Sequence, residues 1–206
     1  MAKKLKCDYL DKLGRILTRE YGKDKSDAIM KRAWQRYREL ISENSDEPKV
    51  VRMHTWDRIY PGIAAFDAMT AEGIGREETA EFLIKYYRWR SKKMAKIIKR
   101  LMKLPGLYKK IPAIFTSLTK RMFGEASGFE ARYYEVSKSE MRVDMLKCPY
   151  YDNCKKYGCP EIVAGYCEAD DVCYGDMHPK LKWGRTKTIG KGGDCCDFRI
   201  TLETHS

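Results

Sequence analysis

The chain has 206 residues, 43% of them hydrophobic and 34% charged, which excludes a disordered composition. This length holds one domain with a proper core and is too short for two large ones. The most apolar stretches, residues 62–66 and 111–118, fall far short of the roughly 20 residues that a bilayer crossing needs. The start, Met-Ala-Lys-Lys-Leu-Lys-Cys, is basic but lacks the apolar run and cleavage site of a secretory signal. A cytoplasmic protein with no membrane partner is therefore expected.

The net charge of +12 lies entirely in residues 1–130, which carry 29 Lys/Arg against 17 Asp/Glu; residues 131–206 carry 12 of each. The composition changes near Gly124–Gly128. The expectation is a single domain over 1–206, with a helical part (1–125) and an α+β, Cys-rich part (126–206).

In chain order, Ile29, Ala33, Trp34, Tyr37, Leu40 and Ile41 recur at helical spacing over 27–41. The polar run 42–48 breaks the pattern. A second helix is predicted over 60–71, with Pro61 in its first turn, where proline is tolerated. The longest covers 76–104, with Glu77, Glu78 and Glu81 near its start and Lys96, Lys99, Arg100 and Lys103 near its end, a polarity that suits the helix dipole. Leu83, Ile84, Tyr87, Met94, Ile97, Ile98 and Leu101 are its predicted buried stripe. Pro105-Gly106 stops it, and a shorter helix follows over 111–123.

The period then changes to alternation, predicting strands over 130–136 and 140–146. Residues 152–173 read as helix interrupted at Gly158-Cys159-Pro160. Strands over 181–188 and 195–202, joined by the turn 190–194, read as a hairpin with Cys196, Phe198, Ile200 and Leu202 on one face. Gly190, Gly192 and Gly193 do not form a phosphate-binding loop, because no strand leads through them into a helix. The fold expected is α+β: an N-terminal helical layer on a small, mainly antiparallel C-terminal sheet with a Cys-rich helix.

Of the eight cysteines, Cys7 stands alone and seven lie between Cys148 and Cys196. In a reducing compartment they are thiols, metal ligands or catalytic groups rather than disulfides. No Cys-x-x-Cys pair of the usual structural zinc kind is present. Three readings stay open for them: a metal ion or iron–sulfur cluster, a thiolate nucleophile at Cys196 or Cys167, or small buried hydrophobes.

The motifs in order are Cys148-Pro149-Tyr150, Tyr157-Gly158-Cys159-Pro160-Glu161, Tyr166-Cys167, Asp170-Asp171, Arg185-Thr186-Lys187-Thr188, Gly190, Gly192 and Cys196-Asp197-Phe198. Upstream stand His54, Pro61-Gly62-Ile63-Ala64, Gly73 and Leu104-Pro105-Gly106. From about His54 to Phe198 this string resembles the L-2-amino-thiazoline-4-carboxylic acid hydrolase family. The resemblance implies hydrolytic opening of a cyclic amidine, in which water attacks the carbon between ring sulfur and ring nitrogen to give a carbamoyl-cysteine. The element order is also similar to small ligand-binding domains related to vinyl reductases. That likeness keeps open a non-catalytic module that binds a small ligand or a metal.

Such a hydrolysis needs an activated water, a proton donor and a group that holds the substrate carboxylate. Asp170 and Asp171 are the candidate base and acid, against solvated acids at a helix end. About 100° separates neighbours on a helix, so one of the two is expected to face the site. Glu161 and His54 are further catalytic candidates; Glu161 alternatively serves a helix dipole. Arg185, read as mid-strand, is the candidate for the substrate carboxylate, against a cross-strand pair with Asp197. Thr188 and Cys167 complete the substrate-binding set. His178 precedes a proline in a turn, and His205 is in the tail. A small molecule is the expected partner, and the cofactor is left open, with a metal ion or iron–sulfur cluster as candidates. Residues 85–110 hold eleven Lys/Arg and no acid. Such a run could track a nucleic-acid backbone or meet an acidic membrane surface; usually it is the solvated face of an amphipathic helix, and nucleic acid is not the expected partner.

Overall fold

The helix with the most uniformly apolar sequence is α4 (Tyr60–Ala71), and nine of its twelve residues are buried. Only Asp67 and the last turn of so apolar a helix reach water. The computed structural model describes residues 5–203, so His205 lies outside the described residues. These residues form two compact units. One comprises residues 5–83 with Asn153–Ile162, and the other Ile84–Asp152 with residues 163–203.

In the first unit α1 (Asp8–Tyr21) and α2 (Lys23–Glu43) turn about Gly22, whose φ of 81° is in the left-handed region that favours glycine. α1 buries Tyr9, Leu10, Leu13 and Leu17, and α2 buries Ile29, Ala33, Tyr37 and Leu40. Both pack against α4. Ser26 is buried at their crossing and donates to the carbonyl of Gly14. Between α2 and α4 lie α3 (Lys49–His54) and one π-helical turn, Thr55–Ile59. The hydroxyls of Thr55 and Tyr60, on either side of that turn, both donate to the Glu47 carboxylate at 2.7 Å. Tyr37 donates to the carbonyl of Trp56 inside it.

The second unit is built on a four-stranded antiparallel sheet in the order β1-β2-β4-β3. Its strands are β1 (Glu130–Tyr133), β2 (Glu140–Lys147), β3 (Leu181–Gly184) and β4 (Cys196–Leu202). The pairs Met145–Cys196, Val143–Phe198 and Met141–Ile200 share one face, and Trp183 pairs with Ile200. Met141, Val143, Leu181 and Ile200 form the core with Met102, Ile111 and Met177, flanked by Phe115, Tyr174, Trp183 and Phe198. α6 (Ile111–Met122) packs on β2 and β4. α8 (Val163–Tyr174) packs on β3 and on the short 3₁₀ turn Ile189–Lys191. The fold is thus α+β, with helices through the first half and the sheet near the C-terminus.

Three expectations need correction. The strand predicted over 181–188 ends at Gly184, because the Asp197 carboxylate takes the amides of Thr186 and Lys187 away from the ladder. The strand predicted over 130–136 ends at Tyr133, whereas the helical stretch over 152–173 is interrupted as expected, into α7 (Pro149–Lys156) and α8, parted at Gly158, whose φ is 71°. In α5 (Arg76–Leu101) Leu83 and Tyr87 are buried, but Met94, Ile97 and Leu101 are exposed. In the C-terminal half of α5 Ala95 turns inward beside the expected Ile98, followed by Met102 just past the helix end.

Gly165 marks the tightest approach of α8. A Cβ there would stand 2.5 Å from Cδ2 of the buried Tyr87 ring. That ring is also 4.4 Å from the ring of Tyr166, so it has little room to yield. Gly165→Ala is therefore expected to cost about 1–3 kcal/mol, read as a lowered melting temperature; an unchanged melting temperature would contradict this packing.

Candidate functional site

The segment after β3 and the face of α8 meet at one side chain. Arg185 follows Gly184 directly and its side chain is only 8% exposed. A guanidinium cannot shed its charge, so burial obliges it to find acceptors. Its Nη2 donates to the carbonyl of Cys167 at 2.7 Å and to Asp171 Oδ2 at 2.8 Å. Its Nη1 lies 3.6 Å from Asp170 Oδ2, an ion-pair distance, and has no hydrogen-bond partner of its own. The Phe198 ring supports the cation from below at 5.2 Å. Arg185 is therefore an end-of-strand residue, and it pairs with α8 rather than with Asp197.

Both adjacent acids reach it. On a helix, residues 170 and 171 diverge by about 100°, yet the fork of the guanidinium is wide enough to address both. Asp171 is fully committed, because its Oδ1 accepts the Trp183 indole N–H at 3.1 Å and its Oδ2 accepts Arg185. The carboxylates of Asp170 and Asp171 are respectively 41% and 52% exposed, so the solvent side of the cluster is acidic and its floor is cationic.

Cysteine thiols lie against this cluster. The Cys167 thiol is pushed up to about 11 by burial, which outweighs the opposing pull of Arg185. Burial likewise pushes Cys148 up to about 12 and raises Cys196. Cys196 Sγ accepts the amide N–H of Ile189 at 3.3 Å. All three are therefore neutral thiols near pH 7, not resting thiolates. Gly190 closes over Cys167; a Cβ there would meet Val163 Cγ1 at 2.7 Å and Cys167 Sγ at 3.5 Å. Thr188, two residues earlier, is buried with its hydroxyl unpartnered. Among the described residues no group of three His, Cys, Asp or Glu side chains is arranged to hold a metal ion.

The segment that carries Arg185 is clasped by Asp197. Its Oδ1 accepts the amides of Thr186 and Lys187 at 2.9 and 2.8 Å, and its Oδ2 accepts the Thr186 hydroxyl at 2.6 Å. Burial alone would raise this carboxyl, but these donors hold it down at about 2.

Asp170, Asp171, Arg185, Cys167, Cys196 and Thr188 thus all belong to the second unit, and all but Thr188 stand in electrostatic or hydrogen-bond reach of Arg185 or its partners. Glu161 and His54 belong to the first. Glu161 Oε1 accepts Arg76 at 2.6 Å, and the same Arg76 donates to the carbonyl of Gly158, which ties down the break after α7. His54 is wholly buried at the end of α3, where the π-helical turn begins. His178 stacks on Tyr108 at 4.1 Å and its Nδ1 accepts the Lys180 amide. Sequence reasoning did not single out Trp183, Phe198 as a support for the cation, or the Asp197 clasp. The Cys196-Asp197-Phe198 run was the available signal, since successive residues of one strand must serve opposite faces.

The model of the L-2-amino-thiazoline-4-carboxylic acid hydrolase family matches residues 52–200. No curated protein matches the chain.

The Asp197 clasp has a pH signature. An Asp titrates near 3.9 when unfolded and at about 2 here, so the clasp contributes fully above about pH 5 and fades as pH falls toward 2. After discounting for solvent screening the contribution is about 1 kcal/mol. Asp197→Asn is expected to flatten the acid limb of the stability curve in that window, measured by urea denaturation at stepped pH; an unaltered acid limb would count against the clasp.

Proposed function

We propose that this chain, which belongs to the L-2-amino-thiazoline-4-carboxylic acid hydrolase family, hydrolyses a small cyclic amidine carboxylate, of the 2-amino-thiazoline-4-carboxylate type, to a carbamoyl-cysteine. The observation that carries the reading is the spare donor of Arg185. A buried guanidinium with one nitrogen unbonded, beside carboxylates that touch solvent, suits a substrate that brings its own carboxylate.

In this proposal Arg185 Nη1 takes the substrate carboxylate, and Thr188, outside the reach of Arg185, is assigned no step. Asp171 holds Arg185 from one side and is held by Trp183, so it positions rather than reacts. Asp170 is the base. It removes a proton from water as the oxygen attacks the amidine carbon, and the carbon–nitrogen π pair moves to the ring nitrogen, which is protonated. The tetrahedral adduct then collapses: the hydroxyl gives up its proton, the carbonyl forms, and the carbon–sulfur bond breaks. Of the two water protons, one ends on nitrogen and one on sulfur. No redox partner is required.

Cys167 and Cys196 form a neutral, polarizable wall against which the ring sulfur can lie. Their raised pKa values favour water over a cysteine thiolate as the attacking group. Glu161 and His54 are assigned no step, since Glu161 is engaged by Arg76 and His54 is enclosed.

Release of free thiol from 2-amino-thiazoline-4-carboxylate by the purified protein tests this. Asp170→Asn is expected to lower kcat by about 10²–10⁴-fold. Asp171→Asn should act mainly on KM, through Arg185. Cys196→Ser should retain activity to within about tenfold, whereas a nucleophile would lose nearly all of it. Absence of thiol release by the wild type would refute the reading.

A further inference from the structure

The last three turns of α5 carry two apolar stripes, and the protein covers only one. Ser91, Ala95, Ile98 and Met102 recur at i, i+4, i+7 and i+11 and face inward. Met94, Ile97 and Leu101 recur at i, i+3 and i+7 and are 52%, 44% and 48% exposed; Leu104, in the turn that follows, is 54% exposed. At about 100° per residue these three fall within an arc of roughly 60° beside the inner stripe. Lys93 and Arg100 border that arc on its far side, and Lys92, Lys96 and Lys103 follow round the helix, all exposed. Between residues 85 and 110 there are eleven Lys/Arg and no acid. Arg88 and Lys99 reach acids elsewhere, Glu168 and Asp176.

Exposed apolar side chains in a continuous row usually mark a contact surface. The charge decides which contact. A second copy of this chain seated on the stripe would set one all-cationic helix against another, with no carboxylate in the segment to offset the repulsion. A nucleic-acid backbone would satisfy the cations and leave the apolar row uncovered. An anionic phospholipid surface satisfies both: the row enters the headgroup boundary, while the lysine and arginine stems lie along it and place their charges among the phosphates. Among the described residues no helix is long and apolar enough to cross a membrane, so α5 would rest on the bilayer and not span it.

We infer that the Met94–Leu104 face of α5 docks this protein on an anionic membrane surface. Vesicles of phosphatidylcholine alone and of equimolar phosphatidylcholine and phosphatidylglycerol, sedimented with the full chain, test the inference. The wild type is expected to partition at least about tenfold more onto the anionic vesicles, and to be released by high salt. I97S/L101S, at exposed positions that leave the fold intact by circular dichroism, should lose most of the binding; K92E/K93E should lose it too while keeping the apolar row. Failure of the wild type to bind anionic vesicles would overturn the inference, as would undiminished binding by I97S/L101S. A wild type that is dimeric in analytical ultracentrifugation, and monomeric as I97S/L101S, would overturn it as well by assigning the face to a second copy.

Discussion

A permanently charged side chain lies beneath the surface of the second unit, and much of the local architecture can be understood as the means of keeping it there. Removing a guanidinium from water costs several kcal/mol unless its donors are satisfied. Arg185 is met by a main-chain carbonyl at Cys167, a bonded carboxylate at Asp171, a near carboxylate at Asp170 and the face of Phe198. The acceptors come from one turn of α8 and the ring from β4, so the cation fixes how that helix sits on that strand. The consecutive acids would repel each other if unpartnered; sharing one cation is what makes the Asp170-Asp171 pair tolerable.

The sheet prepares this meeting. β3 pairs with β4 only as far as Gly184, after which Asp197 gathers the amides of Thr186 and Lys187 and bends the chain out of the ladder. The bend turns Arg185 toward α8 and brings the glycine turn at residues 190–193 over Cys167. Asp197 and Phe198 are neighbours on β4 with opposite duties: the first holds the segment that carries the arginine, and the second supports the arginine itself. Trp183 adds a third restraint, because its ring packs at 5.4 Å from Phe198 while its N–H holds Asp171. The neutral state of the thiols also comes from burial, which raises Cys148, Cys167 and Cys196 alike.

Apolar periodicity located α2 and α5 to within a few residues, and the punctuation by Pro61 and by Pro105-Gly106 located α4 and α6. It also located the sheet, whose alternation places Cys196, Phe198 and Ile200 on one face as expected. α1 was passed over although Tyr9, Leu10, Leu13 and Leu17 carry a helical pattern, and the π-helical turn has no pattern to read. β2 and β4 were legible to within one residue, but the end of β3 was not, since it is set by a side chain, Asp197, competing with backbone partners. The outer stripe of α5 misled for a related reason: spacing tells that Met94, Ile97 and Leu101 share a side, and only the packing tells whether anything covers it. Of the candidate site, the residue types were legible from the motifs. That Asp171 is tied down by Trp183, and that Arg185 keeps one nitrogen unbonded, required coordinates.

The account stands on Arg185 holding a carboxylate through that nitrogen. Calorimetric titration with N-carbamoyl-cysteine and with its carboxamide, on the wild type and on Arg185→Gln, measures this directly. The wild type should prefer the carboxylate by at least about tenfold, and the variant should show no preference. An equal affinity of the wild type for both ligands, or a preference that survives in Arg185→Gln, would contradict the account.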